Sequence, residues 1–137
     1  MRRFPYPALL LLLSSCGGHF FAVTRASSTA NPDDAYTCVQ TQLKTLGYER
    51  KRYDPIKRWY VGQFIDREAR LSDARFRYRI NRLDVLVSPD ATGNTSLEIK
   101  AQSYDVFDDQ KGLDEIERSA TNDVKRAAAS LAEACGK

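Results

Sequence analysis

The chain is poor in the side chains that carry most enzyme chemistry. Of its 137 residues one is histidine, His19, close to the N-terminus. A Ser-His or Cys-His pair inside the folded part is therefore excluded. Only three cysteines are present, too few for a multi-cysteine zinc site once their other uses are counted. No glycine-rich phosphate loop occurs; Gly93 and Gly112 read as turn or boundary residues. Asp105, Asp108 and Asp109 cluster before the last helix, but they lack the EF-hand spacing and read as helix-start acids. Asn94-Thr95-Ser96 has the form of a glycosylation sequon and reads as turn chemistry. These absences point away from an enzyme and call for no cofactor or metal. A hydrolase using aspartate and glutamate alone is the remaining enzymatic reading.

Long apolar runs are also missing. The best begins at Ala8 and contains five consecutive leucines to Leu13. It is too short to cross a bilayer, which takes about 20 apolar residues. Arg2 and Arg3 precede it and small residues follow, the three-part pattern of a secretory signal over residues 1–15. Directly behind the leucines stands Leu13-Ser14-Ser15-Cys16. This resembles the lipobox of bacterial lipoprotein precursors, which is an aliphatic residue, two small residues and the modified cysteine. The resemblance covers this segment only. It implies cleavage before Cys16, a diacylglyceryl thioether on its sulfur and acylation of its new amine. Two or more acyl chains anchor stably, where one binds only marginally. Gly17, a non-aspartate after the cysteine, implies outer-membrane delivery in enteric-type bacteria, with the domain facing the periplasm or the cell surface. The alternative is an ordinary signal peptide cut after Gly17 or Ala26, with Cys16 incidental.

Residues 16–32 are rich in Ser, Thr, Ala, Asn and Gly and read as a flexible tether, able to reach about 50 Å when extended. Residues 33–137 read as one domain. A first helix is expected from Asp33, after Pro32 and with Asp34, since exposed amides favour carboxylates there. Tyr36, Val39, Leu43 and Leu46 form its apolar stripe. Gly47 is placed as the left-handed residue after its end, with Tyr48 folding back. Trp59 to Asp66 and Arg75 to Ser88 read as strands. In the second, Phe76, Tyr78 and Ile80 share one parity while Leu83, Val85 and Val87 share the other. A bulge near Asn81-Arg82 would reconcile them. Ser88 to Asn94 is a turn, and Ser96 to Tyr104 is a half-buried strand. A closing helix is marked by Ile116, Ala120, Val124, Ala127, Leu131 and Ala134, with a second start signal at Ser119-Ala120-Thr121-Asn122. The expectation is α+β: helix, a three- to four-stranded antiparallel sheet, helix, with both helices on one sheet face.

If Cys16 carries lipid, Cys38 and Cys135 remain. Thiols in an oxidising compartment usually pair, and antiparallel helices would bring these two together. Two buried free thiols are the alternative.

Losing Arg2 and Arg3 with the signal leaves 19 basic residues against 18 acidic. The distribution is uneven: residues 44–82 hold 12 basic and 5 acidic residues, and residues 83–137 hold 6 and 11. Either the first half takes an anionic partner or the two halves face each other. Arg75, Arg77, Arg79 and Arg82 are interleaved with Phe76 and Tyr78, beside Arg67 and Arg70. A strand would project Arg75, Arg77 and Arg79 as one row, suited to phosphates or carboxylates. The other reading pairs the row with Asp66, Glu68 and Asp73. The expected function is a non-enzymatic envelope lipoprotein, a small membrane-tethered binding or assembly module. Its partners would be the membrane through the lipid, an envelope protein or anionic lipid, and not nucleic acid. A periplasmic binder of an apolar or anionic small ligand or lipid is the alternative, motivated by Trp59, Tyr60, Phe64, Phe76 and Tyr78.

Overall fold

The computed structural model describes residues 20–136. The elements are β1 (Ala22–Ser28), α1 (Pro32–Thr45), β2 (Glu49–Asp54), β3 (Trp59–Asp66), β4 (Phe76–Pro89), β5 (Thr95–Asp109), β6 (Gly112–Arg118) and α2 (Asn122–Cys135). All six strands belong to one antiparallel sheet, ordered β1-β5-β4-β3-β2, with β6 also paired to β5. β5 is long enough for two neighbours on one edge: β1 pairs with residues 95–101 and β6 with residues 103–109. The Ala120 amide donates to the Phe20 carbonyl and joins the two short strands where they meet.

The sheet therefore corrects the expected three or four strands to six, and each addition has a physical reason. β1 lies inside the stretch read as a tether. Its small residues alternate between the helix-bearing side and solvent too weakly to register as a hydropathy pattern, and β5 supplies the pairing that orders them. β2 (ERKRYD) has no apolar alternation because it is an exposed edge strand, where charge discourages further pairing. β6 occupies residues read as the start of the last helix. That helix begins at Asn122, so the second start signal is the one used.

α1 forms where local chemistry directs it. Asn31 caps it by accepting from the Asp34 amide, Pro32 occupies the first turn, and Asp33 and Asp34 complement the exposed amides. Its end is a Schellman turn. Gly47 has φ +84°, its amide donates to the Lys44 carbonyl, and the Tyr48 amide donates to the Leu43 carbonyl. Ala35, Tyr36, Val39 and Leu43 are the buried face. α2 buries Val124, Ala128, Leu131 and Cys135. Both helices pack on one sheet face over Leu83, Val85, Val87, Leu97, Ile99 and Ala101. Cys38 and Cys135 are joined by a disulfide, with Cα atoms 5.8 Å apart, so the helix layer is crosslinked over the sheet.

β4 has its register shift between Phe76 and Tyr78, not near Asn81-Arg82. From Arg79 to Pro89 the pairing is unbroken. The change of apolar parity instead reflects two buried faces. Leu83, Val85 and Val87 meet the helices, whereas Ile80, on the opposite face, is buried beside the register level of Ile65 and Tyr104.

A polar cluster ties α2 to the sheet. Ser103 Oγ donates to Asn81 Oδ1 at 2.7 Å, and the Thr121 amide donates to Ser103 Oγ at 3.1 Å. Thr121 Oγ1 donates to Asn81 Oδ1 at 3.2 Å and accepts from the Val124 amide at 3.3 Å. One hydroxyl thus caps the helix and serves two buried sheet residues. Thr121→Ala is expected to cost about 1–2 kcal/mol, measured as a lower midpoint in urea with an unchanged slope. A loss below about 0.3 kcal/mol would mean that water replaces the hydroxyl at no cost.

Candidate functional site

The four arginines singled out in the sequence do not form one row. Arg75 precedes β4 and pairs with Asp73 at 2.9 Å; Arg77 lies at the register shift and pairs with Asp108 at 3.3 Å. Hydrogen bonding to Arg75 holds the exposed Asp73 carboxyl below its usual range. Arg75 and Arg77 border a shallow groove with Lys111 and the acids Asp108 and Asp109, so negative charge offsets them locally. Arg79 lies on the helix-bearing side and donates to Asp105 at 2.7 Å, while Arg118 reaches the other oxygen of the same carboxylate at 3.4 Å. Asp105 is 2% exposed. It is thus the buried anchor of two arginines, and the reading of Asp105, Asp108 and Asp109 as helix-start acids is corrected: they close β5. Asp109 accepts from the Lys111 amide in the β5–β6 turn. Among the described residues, no group of three His, Cys, Asp or Glu side chains is placed to hold a metal.

Part of the uneven charge distribution is internal. Arg77, Arg79 and Arg82 of β4 reach Asp108 and Asp105 of β5 and Glu115 of β6. The five aromatics are also dispersed. Tyr60 is in the core, edge-on to Tyr36. Phe76 packs against Phe107 and Phe64 against Tyr48. Tyr78 lies under the Arg67 guanidinium, and Trp59 belongs to the sheet face that carries no helix. Phe64 and Tyr48 border a mostly apolar groove of about 370 Å³ at the sheet's end, beside Leu46, Ala127 and the Asp123–Arg126 pair.

Arg82 differs from the other three arginines. It projects from the helix-free face, and its side chain is 12% exposed. Its contacts with Gln63 and Glu115 are both at 3.5 Å, and its buried Nε has no acceptor. The guanidinium lies over the Tyr104 ring, 4.5 Å from the centroid, a favourable cation–π position. It borders a recess of about 200 Å³ with Lys51, Arg52, Val61, Asp84, Gln102 and Tyr104.

Strand register explains how these residues meet. Arg82 pairs with Gln63 on β3 and Gln102 on β5, and Asp84 pairs with Val61 and Lys100. On β2, Arg52 pairs with Val61, and a β-bulge inserts Lys51 between Arg50 and Arg52. A bulge re-aims side chains. Here it brings Lys51 to the recess beside Arg52, although adjacent strand residues ordinarily point to opposite faces. Val61 is only 4% exposed, because the apolar stems of long basic side chains cover it.

The cations at this recess outnumber the acids beside them. Asp84 accepts from the Trp59 indole at 2.6 Å and keeps its charge, and Glu115 reaches Arg82 at 3.5 Å. Lys51 and Arg52 take part in none of the ion pairs among the described residues. Partial burial, and then Arg82, hold the Lys51 ammonium below its usual pKa, with Glu115 opposing. Three cations therefore converge on one recess. Lys100 continues the positive character toward β1, its Nζ 4.4 Å from the Phe21 ring centroid. Sequence reading found Arg82 but missed Lys51, Arg52, Asp84 and Tyr104. The run Arg50-Lys51-Arg52 was visible, but its bulge and its alignment with β4 across β3 were not.

Cys16 lies outside the described residues. No protein-family model matches the chain, and no curated protein matches it.

Proposed function

We propose that this protein is a non-enzymatic lipoprotein of the cell envelope, a membrane-tethered binding module that works through the helix-free face of its sheet. The observation that carries the reading is the asymmetry of that sheet. One face is sealed by two helices joined through a disulfide. The other presents Trp59, Tyr104, Arg82, Lys51, Arg52 and Lys100 around a polar recess, together with half-exposed Val23 and Leu86. Such a mixture of aromatic and arginine side chains on a rigid support suits recognition of a partner. Lipid on Cys16 would supply the address. β1 begins at Ala22, and the Phe20 carbonyl before it already accepts from the Ala120 amide. From Cys16 to Ala22 the chain spans about 20 Å at full extension, less than half the reach expected of the tether. The domain would be held at the membrane surface and not swung far from it.

The test has two arms. Metabolic labelling with a fatty acid should mark the wild-type protein and not Cys16→Ser, which should leave the membrane fraction or accumulate as precursor. A photo-crosslinking residue at Leu86, on the helix-free face, should give discrete adducts in intact cells. The same residue at Ala129, an exposed position of α2, should not. Equal labelling of the two proteins would overturn the lipid tether, and adducts only from position 129 would overturn the assignment of the working face.

A further inference from the structure

We infer that Lys51, Arg52 and Arg82 form a binding site for a phosphate-type oxyanion, set in the helix-free face near the point where the chain leaves for its membrane anchor. The inference deepens the reading of a tethered module, and rests on it only for the source of the phosphate.

The first argument is one of charge and geometry. Three cations line a recess of about 200 Å³, against one lining acid, Asp84, and Glu115 at 3.5 Å from Arg82. Arg75, Arg77 and Arg79 each have a carboxylate within 3.3 Å. Arg82 makes only 3.5 Å contacts and keeps a buried Nε without an acceptor. A short, charge-assisted bond from its terminal nitrogens to an incoming oxyanion would be stronger than contacts of that length. Arginine presents a fork of donors to an oxyanion and lysine a compact charge, and the two are often combined around phosphates. Tyr104 fixes the guanidinium plane from one side. The β2 bulge is the second argument. It turns Lys51 to the same recess as Arg52, so that three cations meet where regular strand alternation would place two.

The third argument is position. β1 begins at Ala22, which pairs with Ala101, and Ala101 pairs in turn with Leu83, next to Arg82. With strands about 4.8 Å apart, Arg82 lies roughly 10 Å across the sheet from the place where the chain departs. A lipid on Cys16 would therefore bring membrane phosphates within reach of the recess. The pairing of an acyl anchor with a basic patch is a physically sound way to hold a domain against a bilayer.

The molecule carries its own reporter. Trp59 is the single tryptophan, and its indole donates to Asp84 in the recess wall. The full chain in neutral detergent is titrated with inorganic phosphate in one arm. In another it meets mixed micelles containing phosphatidylglycerol, and in a control arm micelles containing phosphatidylcholine. A saturable change in Trp59 fluorescence is expected with phosphate, phosphatidylglycerol or both, and none with phosphatidylcholine. Added sodium chloride should weaken it. Tighter response to phosphatidylglycerol than to free phosphate identifies a headgroup site, and the reverse order identifies a site for a small soluble anion. Arg82→Gln should weaken binding at least tenfold. Lys51→Gln, on an exposed edge strand, should weaken it several-fold with an unchanged melting temperature, so the result does not depend on Arg82→Gln folding. No saturable response to either phosphate, or unchanged affinity in Lys51→Gln and Arg82→Gln, would overturn the site. Fatty-acid labelling of Cys16 would stand unaffected by that failure.

Discussion

Replacing Cys38 and Cys135 together with alanine is expected to lower stability by about 4–5 kcal/mol, the largest effect foreseen for any change in the folded part. The bridge joins residues 97 apart in sequence. Closing a loop of that length removes about 4.7 kcal/mol of denatured-chain entropy in the simplest model. For a domain of this size, 1 kcal/mol corresponds to about 4 °C in melting temperature. The transition should fall by roughly 15–20 °C, and a reductant should reproduce the fall in the wild-type protein. The location of the bridge amplifies its role. It connects the middle of α1 to the end of α2, and α2 is the last of the described elements. Without the bridge, Leu131 and Ala128 hold the end of α2 by packing alone. Fraying should therefore show first as faster amide exchange in the last two turns of α2. Circular dichroism melts with and without reductant would decide the matter. A shift below about 3 °C would mean that the denatured chain is already compact around this contact. A bridge of this kind persists in oxidising compartments, which accords with the envelope address proposed above.

Asp105→Ala should be the most damaging single substitution among the charged residues. Its carboxylate is buried and serves both Arg79 and Arg118. Removing one partner of a buried pair leaves a desolvated charge, which typically costs 3–5 kcal/mol. Arg79 retains partial access to water, with its side chain 24% exposed, so about 3 kcal/mol is expected. Asp105→Asn should lose less, because the amide oxygen still accepts from Arg79. Asp108→Ala, whose pair with Arg77 is half exposed on both sides, should cost under about 1 kcal/mol. Urea denaturation of the three variants gives the ranking. Equal losses at Asp105 and Asp108 would show that burial does not set the value of these pairs.

Much of the fold was legible along the chain, and the reasons are local. α1 declared its start through Pro32-Asp33-Asp34 and its end through Gly47, because helix-end chemistry is settled within a few residues. β3, most of β4 and part of β5 declared themselves through β-branched and aromatic residues. β1, β2 and β6 did not. Their residues acquire meaning only from a neighbour: β1 and β6 from the two halves of one long edge of β5, and β2 from the edge of β3. The same holds for the site. Arg82 was visible as one of four arginines, yet what separates it from Arg75, Arg77 and Arg79 is its place over Tyr104 beside Lys51 and Arg52, with the longest ion pair of the four, to Glu115. Both are decided by strand register.

By itself, then, the sequence determined what depends on near neighbours. It specified helix ends and turns, the apolar stripe of α1, the Val124 and Leu131 positions of α2, and the pair of cysteines able to bridge. The tertiary structure alone decided the number of strands, which arginines are neutralised, and the convergence of Lys51, Arg52 and Arg82. These depend on strand register, where one inserted residue at Lys51 or a shift between Phe76 and Tyr78 changes which side chains share a face. Register is set by contacts between residues far apart in the chain, and a reading along the chain does not contain them.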